Sequence, residues 1–413
     1  MNAPTERSDT DKQQFAQTFQ QALSYLERGN LPIAESLLRP LLHLIPEEPN
    51  GWQLLGVVRA QQGDLAEATT LLQRSVELAP DNAGAHHNLG NVLGMQLRRE
   101  DAVQALNRSL ELDPANPSAL ITRAHMYQQL QRPLDALSSL DAALVLEPGS
   151  RQALIARADT MRPLADMGFV TREVAVAAYH AALEAGADPD NVHYCLAAMG
   201  EGTPPASAPP KFVTDLFDTY ADSFDEHLLE ALQYRTPMQI GQALQHVAQG
   251  GDAQVLDLGC GTGLCAPLLR PLARHLKGLD LSPRMLDKAR ERGLYDELVC
   301  ADLLAYLVGL PAANLDLVVA ADVFVYVGDL NEVFAATARA LRAGGRFVFS
   351  IETLAEPAAG YALRATRRYA HARSHVQTQA TAHGLHQEYL QEGVLRMDAG
   401  SEVAGAVLVL RRS

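Results

Sequence analysis

Small and apolar positions follow one rhythm in the amino-terminal half of the chain and another in the carboxyl-terminal half. In the first, residues recur every 34 positions: Ala22, Gly56, Gly90, Ala124 and Ala158 form one series, Ala34, Ala68, Ala102 and Ala136 a second, and Pro46, Pro80, Pro114 and Pro148 a third. The spacing predicts pairs of helices that cross at the small residues, with proline stopping the second helix of each pair. A fifth, irregular unit is expected from Gly149 to Pro189 with seven extra residues, followed by a capping helix near Asn191 to Met199.

The second rhythm consists of short apolar runs that each lead into an aspartate. Val255-Leu256 leads to Asp257, Leu276-Lys277-Gly278-Leu279 to Asp280, Glu297-Leu298-Val299-Cys300 to Asp302, and Leu315-Asp316-Leu317-Val318-Val319 to Asp322. These read as successive strands of an open α/β sheet, whose carboxyl ends border the ligand crevice. Leu385 to Met397 and Glu402 to Leu410, joined by Asp398-Ala399-Gly400-Ser401, read as a terminal strand pair.

Gly259, Gly261 and Gly263 follow Asp257 at alternate positions, so the backbone can turn sharply and come close to a ligand. A helix from Leu264 to about Ala273 is expected to complete a strand-loop-helix unit. Gly261-Thr262-Gly263-Leu264-Cys265-Ala266 also fits the dinucleotide pattern, with Asp280 near the place of a ribose-binding acid. A triphosphate loop is excluded, because no Gly-Lys-Ser/Thr follows. Four aspartates along the rim argue against a pyrophosphate: unit charges about 4 Å apart interact by roughly 1 to 4 kcal/mol. They favour a ligand with a sulfonium and an ammonium group.

From Phe212 onward the chain resembles class I S-adenosylmethionine-dependent methyltransferases. The resemblance implies a Rossmann-like fold with a seven-stranded, mostly parallel sheet, and S-adenosyl-L-methionine as cofactor. It implies that Asp257, Gly259, Cys260, Gly261 and Gly263 surround the methionyl part, that Asp280 with neighbouring Leu281 takes the ribose hydroxyls, and that Asp302 with Leu303 faces the adenine. Asp302 could equally cap a short helix. Ser282-Pro283 already supplies a helix cap, which leaves Asp280 free for the ligand. Asp322, in Ala320-Ala321-Asp322-Val323-Phe324-Val325-Tyr326, matches the segment that borders both cofactor and acceptor, and Leu341 to Phe349 resembles the helix-turn-strand before the closing pair.

Residues 13–148 resemble tetratricopeptide repeats, although only the second unit has the expected tryptophan, Trp52. Such an all-α superhelix offers a concave surface to a peptide or partner protein. The resemblance puts Gln53, His87, Asn91, Ile121 and His125 on the concave helices, a set without lysines to clamp a terminal carboxylate. The array could equally serve as a scaffold or dimerise. The expected organisation is a repeat domain over 13–200, a proline-rich linker over 201–211 and a methyltransferase domain over 212–413. Bacterial methyltransferases carrying tetratricopeptide repeats show the same arrangement, and in them helices like those of Phe212 to Pro237 fold over the cofactor. Phe217, Tyr220 and Phe224 recur there at helical spacing, and Tyr220 is the expected contact with the cofactor; Tyr234-Arg235-Thr236-Pro237 resembles the next piece of that lid.

Methyl transfer is an in-line displacement on an activated carbon, so proximity and exclusion of water matter more than a catalytic triad. Where the acceptor is a hydroxyl or protonated amine, a base helps. His371, at an expected helix start in Arg367-Arg368-Tyr369-Ala370-His371, is the candidate. Tyr326 is the second, with Tyr369 and His227 behind it, and Arg367 and Arg368 could instead hold an anionic acceptor.

Charge then narrows the partners. The 413 residues carry a formal charge of −15 and an isoelectric point near 5.3, which disfavours nucleic acid as acceptor. Cys195, Cys260, Cys265 and Cys300 lack the spacing of metal ligands, so no metal is expected and reduced thiols are. Met1 to Asp11 is polar and no run approaches membrane-spanning length, so a cytoplasmic protein is expected. Three functions stay open on the sequence alone. They are a methyltransferase acting on an oxygen or nitrogen of a small molecule or protein, an interaction protein whose cofactor fold senses or is inactive, and a nicotinamide-dependent oxidoreductase.

Overall fold

The computed structural model describes residues 9–221, 224–226, 234–247, 251–355, 360–398 and 400–413. Its contacts divide the chain after Ala187 into two compact units.

In the first unit the helices keep the 34-residue register. They begin at Pro49, Ala83, Pro117 and Arg151, with partners beginning at Leu65, Arg99 and Pro133. The small residues are forced by the crossing: a Cβ on Gly56 or Gly90 would stand 2.7 Å from Cγ of Leu72 or Leu106. Hydroxyls repeat the register too, because Ser75 Oγ donates to the Pro49 carbonyl at 2.9 Å and Ser109 Oγ to that of Ala83 at 2.8 Å. The irregular unit is the pair Arg151–Asp166 and Arg172–Glu184. Of the expected concave positions, Ile121 is buried in the array's core, and Gln53 accepts from the amide of Asn82.

The second unit opens with helix Pro189–Ala198, the expected cap of the repeats. Its Tyr194 is instead buried against Ala208, Tyr369 and Phe212 of its own unit. The expected linker is a docked strap. Ala208 N–H donates to the Tyr326 carbonyl, and the Ala206 carbonyl accepts from the amides of Gly328 and Asp329 at 2.8 to 2.9 Å. Proline removes donors from this segment but leaves carbonyls, and Tyr369 uses one of them, donating to Pro205 O at 2.7 Å.

Among the described residues nine strands follow: β1 Ala253–Leu258, β2 Ala273–Asp280, β3 Glu297–Cys300, β4 Leu315–Ala320, β5 Leu341–Glu352, β6 Tyr361–Leu363, β7 Tyr369–His371, β8 Leu385–Asp398 and β9 Ser401–Arg412. Seven form one sheet in the order β3-β2-β1-β4-β5-β9-β8, and β6 pairs with β7 alone. β1 to β5 are parallel, whereas β9 runs antiparallel to both β5 and β8. The order reverses between β2-β1 and β4, which places a crevice over the end of β1. Two expectations fail locally. The helix after the glycine loop is only Ala266–Leu269, ended by a tight turn Arg270–Leu272 in which Pro271 cannot donate to a helical ladder. His371 closes β7 rather than starting a helix; the helix begins at Arg373.

Candidate active site

A cavity of about 490 Å³ lies over the carboxyl ends of β1, β2 and β4, within the size range of small-molecule sites. It is lined by Asp257, Gly259, Cys260, Gly261, Asp280, Leu281, Asp302, Leu303, Asp322 and Tyr326, so ten of the expected site residues come together. Gly263 faces Tyr295 and Arg292 instead and shapes the loop from behind. Tyr220 lies on helix Pro210–Tyr220, but its side chain is outside the described residues, as is His227.

The glycine loop holds its shape through backbone that other residues tolerate poorly. Gly259 has φ +62°, and a Cβ there would stand 2.5 Å from Cγ2 of Val323. Asp280 is not free, contrary to expectation: Oδ2 accepts from the Gly261 amide and Oδ1 from the Ser282 amide, both at 2.9 Å. Ser282 still caps helix Pro283–Glu291, with Oγ accepting from Met285 at 3.1 Å. Asp280 therefore ties the end of β2 to the loop after β1. Burial pushes its carboxyl above the usual range, against the pull of those amides.

Asp257 is 1% exposed, and burial pushes its carboxyl up to about 7 despite a hydrogen bond from the Tyr295 phenol. Asp302 caps a helix and also borders the cavity. Oδ1 accepts from Ala305 N–H at 2.9 Å as the cap of helix Leu303–Gly309, and the residue lines the cavity. Burial likewise raises the Cys260 and Cys265 thiols, so both are inert as nucleophiles.

The rim is less acidic than four aspartates imply. Asp322, at φ +56°, receives Nη1 of Arg396 at 3.1 Å, and Arg396 also pairs with Glu352. Burial opposes the Arg396 charge, yet the two carboxylates hold it above its ordinary range. Arg396 sits on β8, 74 residues away, and lines the cavity, as does Arg368.

The segment expected to fold over the cofactor meets the glycine loop at Asp225. Asp225 accepts from the Thr262 hydroxyl and from the Arg292 guanidinium, while Arg292 Nε donates to the Thr262 carbonyl at 2.6 Å. Phe217 packs edge-on against Phe224 and Tyr326, at 5.7 and 5.5 Å between centroids, and all three rings line the cavity. Ala206, Ser207 and Ala208 of the strap supply a further wall.

His371 is not placed for proton transfer. Its ring is fully buried outside the cavity lining, and Nε2 lies 2.9 and 3.2 Å from the carbonyls of Val327 and Gly328. Burial lowers its pKa to about 4, so it is a neutral ring that ties β7 to the loop after β4.

Residues 256–349 match the methyltransferase domain family, and residues 48–115 match the tetratricopeptide repeat family. The chain joins a class I methyltransferase domain to tetratricopeptide repeats. The methyltransferase match favours one of the two patterns that the glycine loop alone leaves open, and the antiparallel β9 agrees with it. The methyltransferase domain is similar to the malonyl-[acyl-carrier protein] O-methyltransferase of Serratia marcescens, 36% identical over 24% of this chain and 37% of that protein. It is similar to the Yersinia pestis protein of the same name, 31% identical over 37% of this chain and 54% of that one. The chain thus spans about a third to a half of the length of these relatives. A solved S-adenosylmethionine-dependent methyltransferase from Mesorhizobium loti is 25% identical, with a TM-score of 0.33 over 41% of this chain and 96% of that one. Among the described residues no helix is long and apolar enough to cross a membrane.

Proposed function

We propose that this chain transfers a methyl group from S-adenosyl-L-methionine to an oxygen or nitrogen of a small molecule or protein. The observation that carries the reading is the set Asp257, Asp280 and Asp302. All three line one cavity beside the glycine loop, and none pairs with a lysine or arginine among the described residues. These carboxyl acceptors suit a ligand bearing a sulfonium, an ammonium, ribose hydroxyls and an adenine, and when ionised they disfavour a pyrophosphate.

In this reading Asp257, Gly259, Cys260 and Gly261 hold the methionyl part, with Gly263 shaping the loop. Asp280 and Leu281 take the ribose, and Asp302 and Leu303 the adenine. Asp322 and Tyr326 border the acceptor. When bound, S-adenosylmethionine supplies a methyl carbon already activated by the positive sulfur. The chain's part is to align an acceptor with that carbon and keep water out, for which Phe217, Phe224 and Tyr326 form an apolar wall. Both relatives are named O-methyltransferases, which supports an oxygen acceptor. The repeats provide a surface for a partner protein or peptide.

Calorimetric titration of the full chain with S-adenosylhomocysteine and, separately, with NAD tests the reading. Binding of the first and not the second is expected; the opposite result refutes it.

A further inference from the structure

Two neighbouring arginines at the β6–β7 turn have different surroundings. Arg367, at φ +61°, turns its guanidinium over the ring of Phe212 at 4.8 Å, and its carbonyl accepts from the Tyr194 hydroxyl. Arg368 lines the cavity. Its backbone is fixed, because its carbonyl accepts from Arg364 N–H at 2.9 Å where the hairpin closes. Its guanidinium is a quarter exposed and gives one N–H, from Nη1, to Asp398 Oδ2 at 3.1 Å. The remaining donors of its planar fork have no partner among the described residues.

Arg396, the other cavity-lining cation, is spent on Asp322 and Glu352. Among the described residues, Arg368 is therefore the cavity-lining cation with donors left for a bound molecule. A guanidinium with a free edge is matched to a carboxylate, which it binds through two parallel N–H donors.

Once Asp257, Asp280 and Asp302 are given to the cofactor, the cavity has no evident base among the described residues. No histidine or lysine lines it among the described residues, and Asp322 is paired with Arg396. Asp329 Oδ1 is taken by the Asn331 amide and by Gln379, each at 3.0 Å, and Glu332 is exposed to solvent, where screening weakens its charge. A hydroxyl or ammonium acceptor must lose a proton, whereas a carboxylate has lost its proton well below neutral pH.

Resting on the methyl-transfer reading, we propose that the acceptor is a carboxylate, that Arg368 holds it, and that the product is a methyl ester. A carboxylate oxygen forms the new bond to the methyl carbon as the bond from that carbon to the sulfonium sulfur breaks. The electron pair of the broken bond stays on sulfur, and no proton has to leave.

Methyl esters hydrolyse in alkali to volatile methanol; methyl ethers and methylamines do not. The full chain is incubated with methyl-labelled S-adenosylmethionine and with the small-molecule and protein fractions of a cell lysate, and the label is scored for volatility after alkali. Volatile label is expected. Arg368→Gln should lower it about tenfold or more, and Arg368→Lys should restore part of it, while S-adenosylhomocysteine binds both variants as it binds the parent. Alkali-stable label, undiminished transfer by Arg368→Gln, or no transfer from a chain that binds S-adenosylhomocysteine overturns the proposal. Failure to bind S-adenosylhomocysteine at all instead strikes the underlying reading.

Discussion

The phenol of Tyr295 donates a 2.7 Å hydrogen bond to Oδ2 of Asp257, linking the turn before β3 to the end of β1 beneath the glycine loop. Asp257 is buried and Tyr295 half-buried, and desolvation raises the Tyr295 phenol far above its ordinary range, so it stays a donor at any physiological pH. Tyr295→Phe removes that donor and leaves a buried carboxyl without its partner. The variant should lose about 1 to 3 kcal/mol in urea denaturation. A loss near zero would mean that water replaces the phenol.

The Asp257 carboxyl, raised to about 7 by burial, makes a second prediction with a definite sign. Between about pH 4 and 7 the unfolded chain has lost this proton and the native chain keeps it. Native stability therefore falls as pH rises through that window, by about 1.4 kcal/mol per pH unit from this residue. Asp257→Asn should show a flatter stability profile than the parent over the same range, measured by denaturant titration at successive pH values. Parallel profiles would show that the native carboxyl ionises as readily as the unfolded one.

Asp280 joins two backbone amides to the cavity, so its removal loosens the loop as well as the site. Asp280→Ala should weaken S-adenosylhomocysteine binding about ten- to hundredfold, or roughly 1.4 to 2.8 kcal/mol by calorimetry. Asp280→Asn keeps one carbonyl oxygen and should fall between the two. Unchanged affinity in Asp280→Ala would remove this residue from the site.

The array and the strand ends were legible in the sequence because local physics repeats there. Gly56 and Gly90 each face a leucine sixteen residues on, Leu72 and Leu106, at a crossing too tight for a Cβ, so the same constraint marks the chain at a fixed interval. The aspartates at the ends of β1 and β2 and just after β4 all fall at one edge of the sheet because parallel strands share a direction. Contacts over long separations left no such mark. Arg396 reaches Asp322 from a strand near the chain's end, and its one signal was an arginine between Leu395 and Met397 in an otherwise apolar stretch. Tyr295 stood in a polar turn with nothing to tie it to Asp257. His371 has the residue type usual for a base, but a short strand carries it under the loop after β4, a placement that the residue type does not show. The prolines of 201–211 suggested a spacer, but their carbonyls and the intervening amides bond to the residues around Tyr326.

The crossings offer a direct test in the first unit. Gly90→Ala places a methyl group against the branch point of Leu106, and overpacking of this kind costs about 1 to 3 kcal/mol. Gly56→Ala should cost a similar amount against Leu72, by thermal or urea denaturation. A neutral result at both sites would show that the helices separate without penalty.

Arg396 bridges two carboxylates from different strands, Asp322 after β4 and Glu352 at the end of β5, and is 2% exposed. Arg364 supports the same cluster, donating to the other oxygen of Glu352 at 2.8 Å and to the Thr353 carbonyl at 2.8 Å. Among the described residues, Arg396→Met would leave Asp322 with the neutral hydroxyls of Ser350 at 3.2 Å and Thr236 at 3.4 Å. Stranding a fully buried charge costs about 3 to 5 kcal/mol; Asp322 is 18% exposed, so the loss should fall toward or below the lower end of that range. Arg396→Lys should recover part of that loss at most, because an ammonium cannot span two carboxylates with a planar fork. Adding Asp322→Asn to Arg396→Met removes one stranded charge and should recover part of the stability, a sign that packing loss alone would not produce. Equal stability of the single and double variants would locate the cost in the lost arginine stem instead.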